Sequence, residues 1–476
     1  MKRVIAAALI FAACNNGGQV ATPVLPSPSP TPPPAMSSAA LLEDVQKRTF
    51  LFFWETTNPA NGLVPDRWPT PSFSSIAAVG FGLTAYGVGV ERGWVTREAA
   101  AQRVLTTLQF FLNSKQGEAR SGVTGYRGFY YHFVDMKSGE RFKEVELSTI
   151  DTTLLLAGTL FCQSYFDRDD PTETAIRDTA EQLYRRAEWT FFFERPPLVS
   201  MGWTPEGGLL DYDYRGYNEA MILYILALGS PTHPIGKESW DAYTATYRWA
   251  DHYGQQHVVF PPLFGHQYSH VWIDFRGIRD DSMRAKGIDY FENSRRATYS
   301  QRAYAIDNPQ EWKGYGENVW GLTACDGPID ATLTIDGKRR TFWTYRARGT
   351  APKEGEDDGT LAPTAAVSSI AFAPEIAIPA MEAMYRNWGT HLYQQYGFLD
   401  AFNPTLSIDA KVQAGSIVPG VGWFDVDYLG IDQGPIVAMI ENHRSELVWK
   451  TMRKNPHVIR GLKRAGFSGG WLETAR

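Results

Sequence analysis

Cysteine is nearly absent from this 476-residue chain, which has it only at positions 14, 162 and 325. That excludes a disulfide framework, and Cys162, inside an apolar helical run, reads as a buried thiol. Beyond the first thirteen residues there is no long uninterrupted apolar stretch, so no membrane-spanning helix is expected. A basic stripe is missing too. The net charge is −6, and nothing is arranged to neutralise phosphates, which argues against a nucleic-acid partner. No Gly-rich phosphate loop, Gly-x-Ser-x-Gly elbow or zincin motif occurs. Internal repeats are not evident.

What is there begins with a leader. Lys2 and Arg3 precede an apolar stretch, and Phe11-Ala12-Ala13-Cys14 reads as a lipobox. Residues 1–14 are therefore expected to be a signal peptide ending at a lipidated Cys14, the alternative being an ordinary signal peptide. Residues 15–37 are rich in Pro, Ser and Thr and read as an extended tether. Residues 38–476 lack a second linker and are expected to form one catalytic domain, monomeric and membrane-bound only through the lipid. Asn15 after the cysteine favours the outer membrane or periplasmic face of the cell envelope.

Aromatics make up 13% of the chain, with 15 Trp, 23 Tyr and 26 Phe. Sugar rings present apolar C–H faces that such side chains bury, although a large helical core also consumes aromatics. Apolar periodicity predicts helices over 39–54, 74–91, 96–113, 148–165, 171–193, 218–228, 237–254, 294–307, 363–371, 374–388, 433–443 and 445–455. Strand-like pieces fall at 128–133 and 331–345. Twelve helices in sequential pairs suit an all-α (α/α)6 toroid, with long loops and a few short strands at one end carrying the site.

Five acids are candidates for glycoside hydrolysis, which needs one carboxylic acid to protonate the leaving oxygen and a second carboxylate. Glu219 opens a helix after a Gly- and Tyr-rich loop, where Asn218 could equally be a cap. Asp400 sits in an apolar turn between Phe398 and Phe402. Asp135 ends a strand-like run and could be turn chemistry. Asp151 completes a Ser148-x-x-Asp151 capping box, and Glu146 just precedes it. Around them, Trp203, Tyr217, His266, Gln267, His270, Arg276, Trp320, Asp326 and Asn403 are candidates for sugar binding. His266 and His270 have i, i+4 metal spacing but no third ligand follows, so hydroxyl recognition or packing is preferred and no metal is expected.

Together, Glu146-Leu147-Ser148-Thr149-Ile150-Asp151-Thr152, Tyr217-Asn218-Glu219-Ala220, the loop from Pro262 through His270 to Arg276, the segment 321–328, Gly397-Phe398-Leu399-Asp400 and Gly430-Ile431-Asp432-Gln433-Gly434-Pro435 are distinctive. In combination the sequence resembles the glucoamylase-like bacterial family that contains the β-1,2-glucanases of glycoside hydrolase family 144, from about residue 41 to the C-terminus. The resemblance implies an (α/α)6 barrel, no cofactor, and inverting attack on β-1,2-glucan or sophoro-oligosaccharides. It implies Glu219 as the acid and Asp400 as its partner, with Asp135, Glu146 and Asp151 as rivals. Alternatives are an exo-acting, sophorose-releasing enzyme of the same fold, a polysaccharide lyase using Arg276 and His270, and a non-catalytic glycan-binding lipoprotein.

Overall fold

The segment Ile76-Ala77-Ala78-Val79-Gly80-Phe81 continues apolar on every face, a pattern stable only for a helix surrounded by others. The computed structural model describes residues 33–475, and it buries this helix among α-helical neighbours. The signal peptide and Cys14 lie outside the described residues, as does the tether up to residue 32. Pro33 and Pro34 already dock on the body, where the Tyr385 hydroxyl donates to the Pro34 carbonyl at 2.9 Å.

Fifteen α-helices follow in chain order among the described residues: α1 (Ser38–Thr56), α2 (Ile76–Glu91), α3 (Arg97–Asn113), α4 (Thr149–Tyr165) and α5 (Pro171–Arg186). Then come α6 (Met221–Gly229), α7 (Lys237–Ala245), α8 (Phe264–Trp272), α9 (Asp281–Lys286) and α10 (Tyr290–Asp307). The last are α11 (Pro363–Val367), α12 (Pro374–Leu392), α13 (Gly430–Arg444), α14 (Leu447–Met452) and α15 (Pro456–Arg464). Helices α2, α4, α6, α8, α11 and α13 are buried along almost their whole length, and α1, α3, α5, α10 and α12 keep a solvent face. The result is an (α/α)6 barrel, inner helices ringed by outer ones.

Sequence features explain the helix starts and the close packing. Ser75, Thr96, Ser148, Asp170, Asp289 and Asn455 each accept a backbone N–H of the first turn. Helices α2 and α4 touch backbone to backbone. A Cβ on Gly80 would stand 2.2 Å from the Leu154 carbonyl oxygen, and one on Gly158 would stand 2.1 Å from that of Gly80. Only glycine fits at this crossing.

Three expectations need correction. The helix expected over 237–254 ends at Ala245, and Trp249–His252 pairs antiparallel with Gln255–Val258. Tyr253 and Gly254 turn that hairpin with φ of 52° and 75°, a conformation matched to strand twist but closed to a helix. The helix expected over 171–193 stops at Arg186 and continues as the single 3-10 turn Trp189–Phe192. Helices α8, α9 and α15 were not anticipated, each being short and hidden among loop residues. The strand-like 331–345 becomes the hairpin Ala331–Ile335 with Lys338–Phe342.

Candidate active site

The acids gather where inner helices begin. Short two-stranded pairings tie these starts together: Ser74–Ser75 with Phe133–Val134 before α2, Leu147–Ser148 with Gly202–Trp203 before α4, and Arg67–Trp68 with Tyr428–Leu429 before α13. Helix N-termini carry partial positive charge, so this end of the barrel tolerates clustered carboxylates better than the other.

One group centres on His132. Its Nδ1 lies 2.8 Å from Glu146 Oε1, and its Nε2 lies 3.6 Å from Asp151 Oδ1. Burial acts to lower the imidazole pKa, but Asp151 and Glu146 outweigh it and raise it to about 10, so His132 is a cation. That cation holds Glu146 below the usual carboxylate range against its burial, whereas burial keeps Asp151 above it. The capping box is formed: the Asp151 N–H donates to Ser148 Oγ at 3.2 Å, and the Ser148 hydroxyl donates to Asp151 Oδ2. Asp151 is thus both a cap and a member of the site.

Glu219 stands two residues before α6 and is half-buried. Burial raises its pKa to about 7, assisted by the charge of Asp151. Asn218 does not cap the helix in the expected way. Its side chain accepts from Ala220 N at 3.0 Å as an Asx turn, and its N–H donates to the Tyr243 hydroxyl.

The second group is Asp326, Asp400, Asp425 and Asp432, all nearly inaccessible to solvent. The Asp326 N–H donates to Asp400 Oδ2 at 2.8 Å, and Arg67 Nη1 lies 2.6 Å from Asp326 Oδ2. Arg67 also approaches Asp66 at 3.4 Å and Asp427 at 3.8 Å. Burial pushes Asp400 and Asp425 well above the ordinary range, followed by the like charge of their neighbours, and brings Asp432 to about 7. The charge of Asp432 is, after burial, the largest cause of the rise at Asp400, so a proton on either carboxyl lowers the cost of ionising the other. One oxygen each of Asp326, Asp400 and Asp425 lies within 4.8 Å of the others, near enough to surround a cation. Arg67 already pairs with Asp326, however, and burial favours the protonated forms of Asp400, Asp425 and Asp432, so the set reads as a group of proton-holding carboxyls.

Between the groups lies a cavity of about 40 Å³, lined by Asp66, Arg67, Ser75, His132, Phe133, Tyr345, Leu429 and Ile431. Burial raises Asp66 to about 6 despite Arg67. Tyr268, whose hydroxyl donates to the Ile431 carbonyl at 3.2 Å, senses the charges of Asp432, Glu219 and Asp400. The fully buried Arg348 binds the Cys325, Trp343 and Thr344 carbonyls and pairs with Asp358, holding the Asp326 and Tyr345 loops together.

The structure therefore brings Glu219, Asp151, Glu146, Asp400 and Asp326 to the open end. It does not bring Asp135, an exposed residue that accepts Lys137 N and Ser138 N to close its own turn. Several expected sugar contacts are framework instead. His266 bonds the Phe260 carbonyl and His270 bonds Ser294 Oγ, each fully buried on α8. The Gln267 amide donates to Ala365 O and Ser369 Oγ. Asn403 spans Asp358 O and Thr405 N, and Trp320 is inside the core. Arg276 is engaged by Asp274 and Glu446 and covers the Trp449 ring. Tyr217 is buried, its hydroxyl 3.3 Å from Ser294 Oγ. Trp203 alone of the expected rings stays half-open, opposite Leu147 and against Tyr126.

Residues not anticipated as site members are Asp66, Arg67, His132, Tyr345, Asp425, Asp427 and Asp432. Two acids at alternate positions in Phe424-Asp425-Val426-Asp427-Tyr428 were a usable signal, since an extended segment puts both on one side. So was Asp66-Arg67-Trp68, an ion pair beside an aromatic. His132 had none.

An (α/α)6 toroid whose inner-helix starts converge on two facing groups of buried carboxyls defines the class. The chain belongs to the Glycoamylase family, described as "Putative glucoamylase", whose family model matches residues 211–456. A solved Bacteroides uniformis structure described in the same words is 34% identical, covering 92% of this chain and 100% of that one, with a TM-score of 0.78. An endo-β-1,2-glucanase from Chitinophaga pinensis, solved with sophorotriose and glucose, is 28% identical over 92% of this chain and 100% of that one, also at a TM-score of 0.78. An exo β-1,2-glucooligosaccharide sophorohydrolase (non-reducing end) from Parabacteroides distasonis is 29% identical over 90% of this chain. The chain spans 58% of that relative's length.

Proposed function

We propose that the chain is a glycoside hydrolase that cleaves β-1,2-glucan or sophoro-oligosaccharides by an inverting, two-carboxyl mechanism. The observation that carries this reading is Glu219, a half-buried carboxyl that keeps its proton near neutrality, whose charge reaches Tyr268 together with those of Asp432 and Asp400. Glu219 donates its proton to the departing glycosidic oxygen as the anomeric carbon–oxygen bond breaks. Water attacks that carbon from the opposite face, and the Asp400–Asp432 pair, in the form in which one of its two carboxyls is ionised, takes the proton it releases. His132 and Arg67 keep the acid-rich recess from expelling one another's charge. Half-buried Trp203 and exposed Trp68 and Tyr212 offer faces for sugar rings near the acids. The relatives described as β-1,2-glucan enzymes support the substrate class.

Incubation with β-1,2-glucan should release reducing ends whose first anomer, by NMR before mutarotation, is α. A β-anomer would overturn inversion, and no release would overturn the function. A second reading, exo release of sophorose, is favoured by the Parabacteroides relative. A product profile of sophorose alone from the start of reaction would select it. The lipobox supports an envelope lipoprotein anchored through Cys14 by residues 15–37. Wild type should fractionate with membranes and Cys14→Ala should not, and equal release of both would refute the anchor.

A further inference from the structure

A second, larger concavity of about 470 Å³ lies where the C-terminal end of α3 meets two loops, and none of the acids described above lines it. Two amides, Gln109 and Asn113, stand one helical turn apart on its floor, beside the Phe110 ring and the Thr124 hydroxyl. Gln109 and Asn113 are exposed and Thr124 is almost buried, and within the described residues no hydrogen bond uses any of these three side chains. Lys115 and Glu140 also line it, with cancelling charges.

The walls are fixed. Asn58 and Asn61 donate to the Met136 carbonyl at 2.8 and 3.1 Å, and Thr124 N donates to Lys115 O at 2.8 Å. The Phe110 ring lies flush on Gly139, where a Cβ would come within 2.1 Å of it.

This lining selects by elimination. An anion would meet the negative end of α3 and a single lysine. A metal ion would find one carboxylate, and an apolar peptide one ring. A neutral polyhydroxyl chain fits: amides and a hydroxyl both give and accept hydrogen bonds, the ring covers a C–H face, and the volume suits a short saccharide. Because α3 returns antiparallel to α2, its C-terminal end shares the face on which α2 and α4 begin. From the concavity the chain runs through Gly125–Tyr126 and Phe129–Tyr130 to His132 in the recess.

We propose that this concavity is a second glucan-binding site, which holds a distant part of a polymeric substrate on the face where the acids cut. It rests on the reading of the chain as a β-glucan hydrolase. The test uses Gln109→Ala/Asn113→Ala, two exposed positions, and Thr124→Val, which keeps side-chain volume. In a Glu219→Gln background that cannot turn over substrate, calorimetric affinity for long β-1,2-glucan should fall ~3–10-fold in the double variant. Sophorotriose affinity should not change. With Glu219 intact, KM for the polymer should rise by the same factor at constant kcat, and Thr124→Val should shift it in the same direction. Unchanged polymer affinity and KM in both variants would overturn the second site while leaving the hydrolase reading standing. If Glu219→Gln protein binds neither polymer nor trisaccharide, the hydrolase reading falls, and this site with it.

Discussion

Glu219 concentrates the chemistry at the residue scale, because its environment sets two opposing requirements. It must be dry enough to keep a proton and open enough to reach a sugar. Glu219→Gln keeps the shape and removes the transferable proton, so turnover should fall ~10²–10⁴-fold while folding and glucan affinity survive. A kcat assay with a melting curve checks both. Retention of more than about a tenth of activity would move the acid to Asp151, the neighbouring carboxyl that burial holds above the ordinary range. The raised pKa adds a pH signature. The general acid works protonated, so kcat should decline as pH rises through about 7. In Glu219→Gln that limb should vanish from the residual rate. The position of Glu219 was legible in the sequence as a Tyr-Asn-Glu run beside a helix start. Its protonation was not, because it depends on burial and on Asp151, sixty-eight positions earlier in the chain.

At the scale of elements, the site depends on how closely inner helices approach. The Gly80–Gly158 crossing sets the distance between α2 and α4, and so between Ser75 and the Ser148–Asp151 box at their starts. Gly158→Ala should cost about 1–3 kcal/mol in chemical denaturation, the range for overpacking a core, and should lower kcat as well. Gly93→Ala is a useful contrast. Nothing lies within 4 Å of its added Cβ, and only its φ of +68° opposes the change. Equal effects of the two substitutions would mean that the crossing is not what positions the acids. Helix periods were readable where an outer helix keeps one wet face, as in α3 and α5. Reading failed where the chain turned on Tyr253-Gly254, and in α8, whose polar residues are buried against partners remote in sequence.

Across the whole molecule, the Asp400 group charges the fold an electrostatic cost that varies with pH. Burial raises the folded-state pKa of Asp400 above its unfolded value, so the folded state binds more protons than the unfolded one once pH exceeds about 4. Stability attributable to Asp400 is therefore present at low pH and lost as pH rises. Asp400→Asn removes that loss. Its stability relative to wild type should grow between pH 4 and pH 8 by on the order of 1–3 kcal/mol, read from paired thermal or urea unfolding curves. A pH-independent difference would mean that Asp400 is not the proton holder. What the sequence by itself determined is the local and statistical part of this protein: helix periods, caps, the leader and tether compositions, and motif runs whose combination indicates the family. Those signals live within a few residues, where backbone geometry acts directly on neighbouring side chains. Which acids face one another was decided only by tertiary structure. Asp66, His132, Glu219, Asp326, Asp400 and Asp432 come from six separate stretches and meet because six inner helices start at one end of the barrel. Their protonation follows from that meeting, since desolvation and like-charge repulsion are properties of the assembled recess and not of any segment of it.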